Sequence, residues 1–351
     1  MDFSLSPDQI LFRDSIDRFF TETFAGEAGR DAAADWNSLA EMGLTAAPFP
    51  ESLGGTGANA IDLMFVANGI GRTLAKTPFI SGVVLAGSLL RDCAAAPAAR
   101  ALIEALASGS TRLAFAQMHS GSVTRAGSGV TISGEAHIVL GGATADMFVV
   151  ASPDRDLLII VDGGGPGLRR LPFGTLDNRD AADLVFENVA AAAEAIPVRG
   201  AEARRIIESA LRAARAAWCA EACGAMRAAL DLTLEYARTR KQFGRPIGSF
   251  QALQHRFVDM RIAVDLSDTL TRVATMAVDE ASPQEAERLV AAAAVQVAAA
   301  SRLIAEEAIQ IHGGMGMTDE CSAGKYAKRL MALTCLLGSE DEALERFLQS
   351  A

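Results

Sequence analysis

Tyr236-Ala237-Arg238-Thr239-Arg240-Lys241-Gln242-Phe243-Gly244-Arg245-Pro246-Ile247-Gly248-Ser249-Phe250-Gln251 is the stretch on which the reading of this chain turns. It joins two long helical patterns and gathers cations, an aromatic ring and a glutamine at their junction. That set suits a diphosphate carrying a flat heterocycle: guanidinium for the charge, ring for stacking, amide for hydrogen bonds. A solvated basic turn explains the same residues about as well. Beyond the junction, Phe250, Leu253, Phe257, Met260 and Val264 step by three and four, a stripe that packs against another helix. Ser282-Pro283-Gln284-Glu285 is a capped helix start, and the helix it opens runs to about His312, where Gly313 and Gly314 end it. In Gln310-Ile311-His312-Gly313-Gly314-Met315-Gly316-Met317 the glycines let backbone approach a ligand closely, although a plain C-cap explains them nearly as well.

On the other side the helical period reaches back to about Glu202, so residues 201–351 read as a four-helix bundle, an architecture that commonly offers a surface for self-association. From about Thr111 to Val198 the period changes. Leu113–Gln117, Val130–Ser133, Met147–Ala151 and Leu157–Val161 are short β-rich runs between Gly, Ser and Asp turns, the pattern of an antiparallel sheet or barrel. No long helical pattern lies between them, which excludes a doubly wound parallel fold. Earlier still, Ser6-Pro7-Asp8-Gln9 is a capped start followed by the apolar face of Ile10, Leu11, Ile16, Phe19 and Phe20. The loop Pro48–Gly57 interrupts before helices resume at about Ala60. The expected fold is therefore α+β, mostly α: an N-terminal helical domain (1–108), a central antiparallel β-barrel-like domain (109–200) and a C-terminal four-helix bundle (201–351).

The 351 residues carry 32 basic and 43 acidic side chains, a net charge of −11. That balance argues against a nucleic-acid partner and against an anionic membrane surface. The richest apolar run, Leu289–Ala300, is too short for membrane insertion. Asp2, Asp8 and Asp14 stand where a signal peptide needs basic residues. Five cysteines form no CxxC pair, so a soluble, reduced, cytoplasmic protein is expected. The histidines at 119, 137, 255 and 312 show no metal-ligand spacing, so no metal is expected. Gly163-Gly164-Gly165-Pro166-Gly167 lacks the Lys-Ser/Thr of a phosphate loop and reads as a turn, and no Gly-x-Ser-x-Gly elbow supports serine-hydrolase chemistry.

Met1-Asp2-Phe3-Ser4-Leu5, Pro50-Glu51-Ser52-Leu53-Gly54-Gly55, Arg240–Gln251 and Gln310–Gly316 stand in the order found in the acyl-CoA dehydrogenase family, which the chain resembles over essentially its whole length. The resemblance implies FAD, acyl-CoA thioester substrates, a tetrameric dimer of dimers and electron-transfer flavoprotein as acceptor. It implies that Arg240, Gln242, Phe243, Ile247 and Gln251 reach across a subunit interface to the pyrophosphate and adenine half of a neighbour's FAD. Gln310, Gly313 and Gly314 match a second such contact, and Ser339 matches a hydroxyl of the cofactor site.

The same resemblance exposes departures. Family members take the substrate's α-proton with a carboxylate in a dry pocket while hydride leaves for the flavin. Counting from Gly313, the usual base position holds Leu337, in Leu336-Leu337-Gly338-Ser339. Counting back from Phe243, the position used by a minority holds Ala214, beside a matching Arg215. Neither accepts a proton, although the Leu337 backbone N–H suits a thioester carbonyl. The Thr-Glu-Pro-like strand is replaced by Phe115–Gly121, and the Trp-Ile-Thr run that contacts the flavin ring by Ile138-Val139-Leu140. A lost buried hydrogen bond costs about 1 kcal/mol or more. Glu221 is the substitute base to consider, on nearly the same helix face as Ala214 but about 10 Å along the axis; a buried structural glutamate paired with Arg227 or Arg215 is the alternative. The expectation is a subunit of a hetero-oligomer that completes a partner's FAD site, against a non-catalytic scaffold or a self-sufficient homotetramer.

Overall fold

The computed structural model describes residues 4–24, 32–318, 320–338 and 340–350. Helices come first: α1 (Pro7–Phe24), α2 (Ala32–Glu41), α3 (Ala60–Thr73), α4 (Gly87–Arg91, continuing a π-helical stretch Phe79–Ala86) and α5 (Pro97–Ala107). Strands follow: β1 (Leu113–Gln117), β2 (Ser120–Ala126), β3 (Gly129–Leu140), β4 (Met147–Ala151), β5 (Leu157–Asp162), β6 (Leu168–Gly174), β7 (Asp180–Ala191) and β8 (Val198–Arg199). Helices then return as α6 (Ala201–Thr239), α7 (Gln251–Glu280), α8 (Pro283–His312), α9 (Ser322–Leu337) and α10 (Glu340–Gln349), with the short strands β9 (Lys241–Gln242) and β10 (Arg245–Pro246) between α6 and α7.

Both expected helix starts form from local chemistry. Ser6 Oγ accepts from the Gln9 backbone N–H at 3.1 Å while Gln9 Oε1 accepts from the Ser6 N–H at 3.1 Å, a reciprocal cap. Ser282 Oγ accepts from the Glu285 N–H at 3.3 Å, with Pro283 in the first turn where its missing donor costs nothing.

Contacts divide the chain into two compact units, each gathered from separate stretches. The unit of residues 31–59 and 76–214 contains two four-stranded sheets, ordered β1-β4-β5-β8 and β2-β3-β7-β6. Their inner faces share one apolar core, which includes Ala114, Ile132, Phe148, Ile159, Leu184 and Phe186. The pairing is antiparallel save for β1 with β4, which is parallel because the chain spends β2 and β3 in the second sheet before returning beside β1. The Gly163–Gly167 run forms the turn between β5 and β6.

The unit of residues 1–30, 60–75 and 215–351 holds α1, α3, most of α6, and α7 to α10. Here α8 packs against α7, α9 and α10, and α3 against α1 and α7. A Cβ on Gly71 would lie 1.9 Å from the Glu221 carbonyl oxygen, and one on Gly224 would lie 2.1 Å from that of Asn68. These glycines let α3 and α6 touch backbone to backbone, and a side chain at either would force them apart. Phe257, Met260 and Val264 of the α7 stripe are buried, while Phe250 and Leu253 are half-buried. The stretch Pro283–Met317 is long and apolar enough to cross a bilayer, well beyond the run Leu289–Ala300, yet 56% of its most apolar window is buried among its neighbours. Most of its alanines, among them Ala291, Ala293, Ala294, Ala298 and Ala300, are buried in the core.

Candidate functional site

β9 and β10 pair as a hairpin whose two turn residues are Phe243, at φ 52°, and Gly244, at φ 80°. Two positive φ values in succession are those of a type I′ turn, one of the two-residue connections whose twist matches that of the strands. Glycine adopts them freely, whereas Phe243 holds a conformation that costs a non-glycine residue about 1 kcal/mol or more. Its ring is nonetheless 91% exposed. A strained backbone thus presents a bare aromatic ring.

The hairpin is anchored at its base. The Arg240 N–H donates to the Tyr236 carbonyl at 2.8 Å, and the Ile247 N–H donates to the Arg240 carbonyl at 2.9 Å. The Arg245 guanidinium lies 4.2 Å from the centre of the Phe250 ring, which Phe243 meets edge-on at 6.1 Å. Arg240, Lys241, Gln242 and Gln251 are exposed and Ile247 is half-buried. Among the described residues no carboxylate pairs with Arg240 or Lys241.

The second segment begins where α8 ends. Gly313, at φ 63°, donates its N–H to the carbonyls of Gln310 and Ile309. A Cβ on Gly313 or Gly314 would meet nothing within 4 Å, so both face open space, and Gln310 is exposed beside them. Met315 and Met317 are exposed as well. Sequence and structure agree on the helix end, but the C-cap reading alone does not explain Gly314, which caps nothing. The rings of Tyr236 and His312 stack with centroids 4.4 Å apart, so the two segments, distant in sequence, spring from one point. All eight described cofactor candidates belong to this unit; Ser339 lies outside the described residues.

The expected catalytic positions look different. Leu337 is 1% exposed and is the last residue of α9, where its N–H is already donated along the helix. Its carbonyl accepts from the Arg346 guanidinium. Ala214 is fully buried. Glu221, 1% exposed, is held by both oxygens: Arg329 Nε donates to Oε1 at 2.9 Å and Nη2 to Oε2 at 2.7 Å. Its partner is thus neither Arg227, which pairs with Asp268, nor Arg215, which pairs with Glu287 at 2.7 Å. Six residues along a helix is about 120° off the face, so neither same-helix arginine can reach Glu221. Sequence reasoning missed Arg329 because it reaches Glu221 from α9, 108 residues away along the chain.

In the sheet unit, a register shift between β3 and β7 at Ala136/Val139 throws Ile138 outward, at φ 53° and 61% exposed. The Ile138 N–H donates to Asp183 Oδ1 at 2.8 Å, and the His137 N–H to His119 Nδ1 at 3.2 Å. The His137 ring lies 3.5 Å from Glu135 and 3.6 Å from Asp183. Val139 is buried and Leu140 half-buried. The run Ile138-Val139-Leu140 therefore offers no side-chain hydrogen bond.

Residues 6–121 match the acyl-CoA dehydrogenase N-terminal domain, and residues 204–350 match the acyl-CoA dehydrogenase C-terminal domain. The chain is 32% identical to the acyl-CoA dehydrogenase IpdE2 of Mycobacterium tuberculosis, over 92% of this chain and 87% of that one. It is similar to the crystal structure of the ChsE4–ChsE5 complex from Mycobacterium tuberculosis, with a TM-score of 0.86 and 26% identity over 99% of this chain and 98% of that one. The FAD complex of PigA shares the fold, at a TM-score of 0.87 and 21% identity over 99% of this chain and 98% of that one.

Proposed function

The chain belongs to the acyl-CoA dehydrogenase family, and from that premise we propose that it is one subunit of a hetero-oligomeric flavoprotein that dehydrogenates acyl-CoA thioesters. Its part is to complete the FAD site of a partner chain. The observation that carries this reading is the contrast at Phe243: a bare ring on a strained turn beside Arg240, which has no carboxylate partner among the described residues, in a chain whose two base positions are packed leucine and alanine.

The residues fit the nucleotide end of FAD. Arg240 would hold the pyrophosphate, and an exposed guanidinium is suited to that charge. Phe243 and Ile247 would cover the adenine and ribose, while Gln242, Gln251 and Gln310 would supply amide hydrogen bonds. Gly313 and Gly314, open where a Cβ would project, admit a ligand against the backbone. When bound, FAD supplies a hydride acceptor for the bond between the α- and β-carbons of the thioester.

No proton acceptor stands at Leu337 or Ala214, and both oxygens of the buried Glu221 carboxylate are engaged by Arg329 rather than turned to a substrate. The base and the flavin-ring pocket are therefore assigned to the partner. The reading places the complex in the cytoplasm as a dimer of dimers, with electron-transfer flavoprotein as the electron acceptor. The relatedness to the ChsE4–ChsE5 complex, itself an assembly of two named chains, supports a paired arrangement.

The visible spectrum tests it. Expressed alone, the chain should be colourless, and co-purified with a co-encoded paralogue it should form a yellow complex that acyl-CoA bleaches. Flavin bound and bleached by the chain alone would replace this reading with a self-sufficient homotetramer, and Glu221→Gln would then show whether that residue is its base. A chain colourless in every pairing would leave a non-catalytic scaffold.

A further inference from the structure

The junction and the glycine turn are separate in sequence, yet a dinucleotide gripped at two points needs them at a set spacing. We infer that the stacked pair Tyr236–His312 sets that spacing, making both positioning residues for the nucleotide site; this rests on the FAD reading above. The rings lie 4.4 Å apart, centre to centre, and are 24° from parallel. Offset stacking of this kind adds attraction beyond the burial of area.

Each ring is locked to one of the two segments. Tyr236 is one helical turn before Arg240, and its carbonyl accepts from the Arg240 N–H at 2.8 Å and from Thr239 Oγ1 at 3.2 Å. The Arg240 carbonyl in turn closes the hairpin on Ile247. A Cβ on Gly248 would lie 3.1 Å from the Ala237 carbonyl, so the far arm of the hairpin also rests on the turn that carries Tyr236. His312 is 5% exposed, and its Nδ1 lies 2.8 Å from the Ala308 carbonyl. A carbonyl can only accept, so Nδ1 carries the proton and the ring is pinned to its own helix. Gly316 folds back over it, its Cβ position 3.1 Å from His312 Cβ. Displacing either ring therefore displaces a segment that the other ring holds in register. His312 is buried and Tyr236 half-buried, and the pair acts on the ligand through the backbones it spaces.

The test uses the full-length chain in its yellow complex, stripped of flavin and titrated with FAD and with ADP by calorimetry. Tyr236→Leu and His312→Leu should each weaken FAD and ADP binding about three- to tenfold. Tyr236→Phe keeps the ring and should bind as wild type does. Hydrogen exchange in the flavin-free complex should rise together at residues 241–250 and 313–317 in His312→Leu. Wild-type affinity in both leucine variants, equal loss in Tyr236→Phe, or faster exchange confined to one segment would each overturn the inference. Should the leucine variants fail to fold, Tyr236→Met decides, because it removes the ring and leaves the His312–Ala308 bond in place: weakened FAD and ADP binding supports the stack, and wild-type affinity overturns it. A wild-type complex that binds neither FAD nor ADP would instead bring down the FAD reading, and this inference with it.

Discussion

Phe243 and Ile138 share a backbone conformation and little else. Each is an exposed apolar side chain held at a φ near 50°, where non-glycine residues are strained. Around Phe243 the polar groups are turned outward: Arg240 and Lys241 have no acid partner among the described residues, and Gln242 and Gln251 are exposed. Around Ile138 the polar groups serve one another, since Asp183 holds the Ile138 N–H, His119 holds the His137 N–H, and His137 sits between two carboxylates. One region leaves its hydrogen-bonding capacity open to solvent and the other has satisfied its own. The same strain therefore carries different information, and the neighbouring donors and acceptors decide which.

The largest effect that could break this comparison is at Glu221. Glu221→Gln removes the buried carboxylate that two Arg329 donors reach and should lower stability by about 3–5 kcal/mol in urea unfolding. Turnover of the folded complex should be unaffected; a stable variant with abolished turnover would place the base in this chain. Arg240→Ala, at an exposed site, should leave stability unchanged and weaken FAD in the complex by about 2 kcal/mol, roughly thirtyfold, by calorimetry. Undiminished affinity would make the junction a solvated basic turn.

Glycine substitutions sharpen the contrast. Phe243→Gly and Ile138→Gly both relieve a left-handed conformation, and each should raise stability by about 0.5–1 kcal/mol. Only Phe243→Gly should weaken FAD binding, so equal effects on binding would erase the distinction. The smallest effect concerns α6: burial pushes the thiols of Cys219 and Cys223 up to about 12, and that of Cys93 up to about 11. At pH 8 a thiol-specific label should modify exposed Cys335 and leave these three untouched until the protein unfolds. Rapid labelling of Cys219 would show that α6 is not packed as described.

What was legible beforehand was local. The Ser6 and Ser282 caps form from residues three apart. Strand Met147–Ala151 stands where its β-branched and aromatic content placed it. The cofactor candidates were readable because charge, ring and glycine lie close together along the chain. Arg329 was not, for it reaches Glu221 from a different helix 108 residues away. The bulge at Ile138 was equally hidden, because a register shift depends on the partner strand β7.

Composition, capping chemistry and periodicity by themselves determined the succession of helices, strands and helices, and they located the cationic junction between α6 and α7. Those properties act over a few residues, within the reach of one hydrogen bond or one helical turn. Tertiary structure alone decided which charges are neutralised and which remain open. Pairing across helices satisfied Glu221 and, among the described residues, left Arg240 without a carboxylate, a difference of environment between residues whose intrinsic chemistry is ordinary.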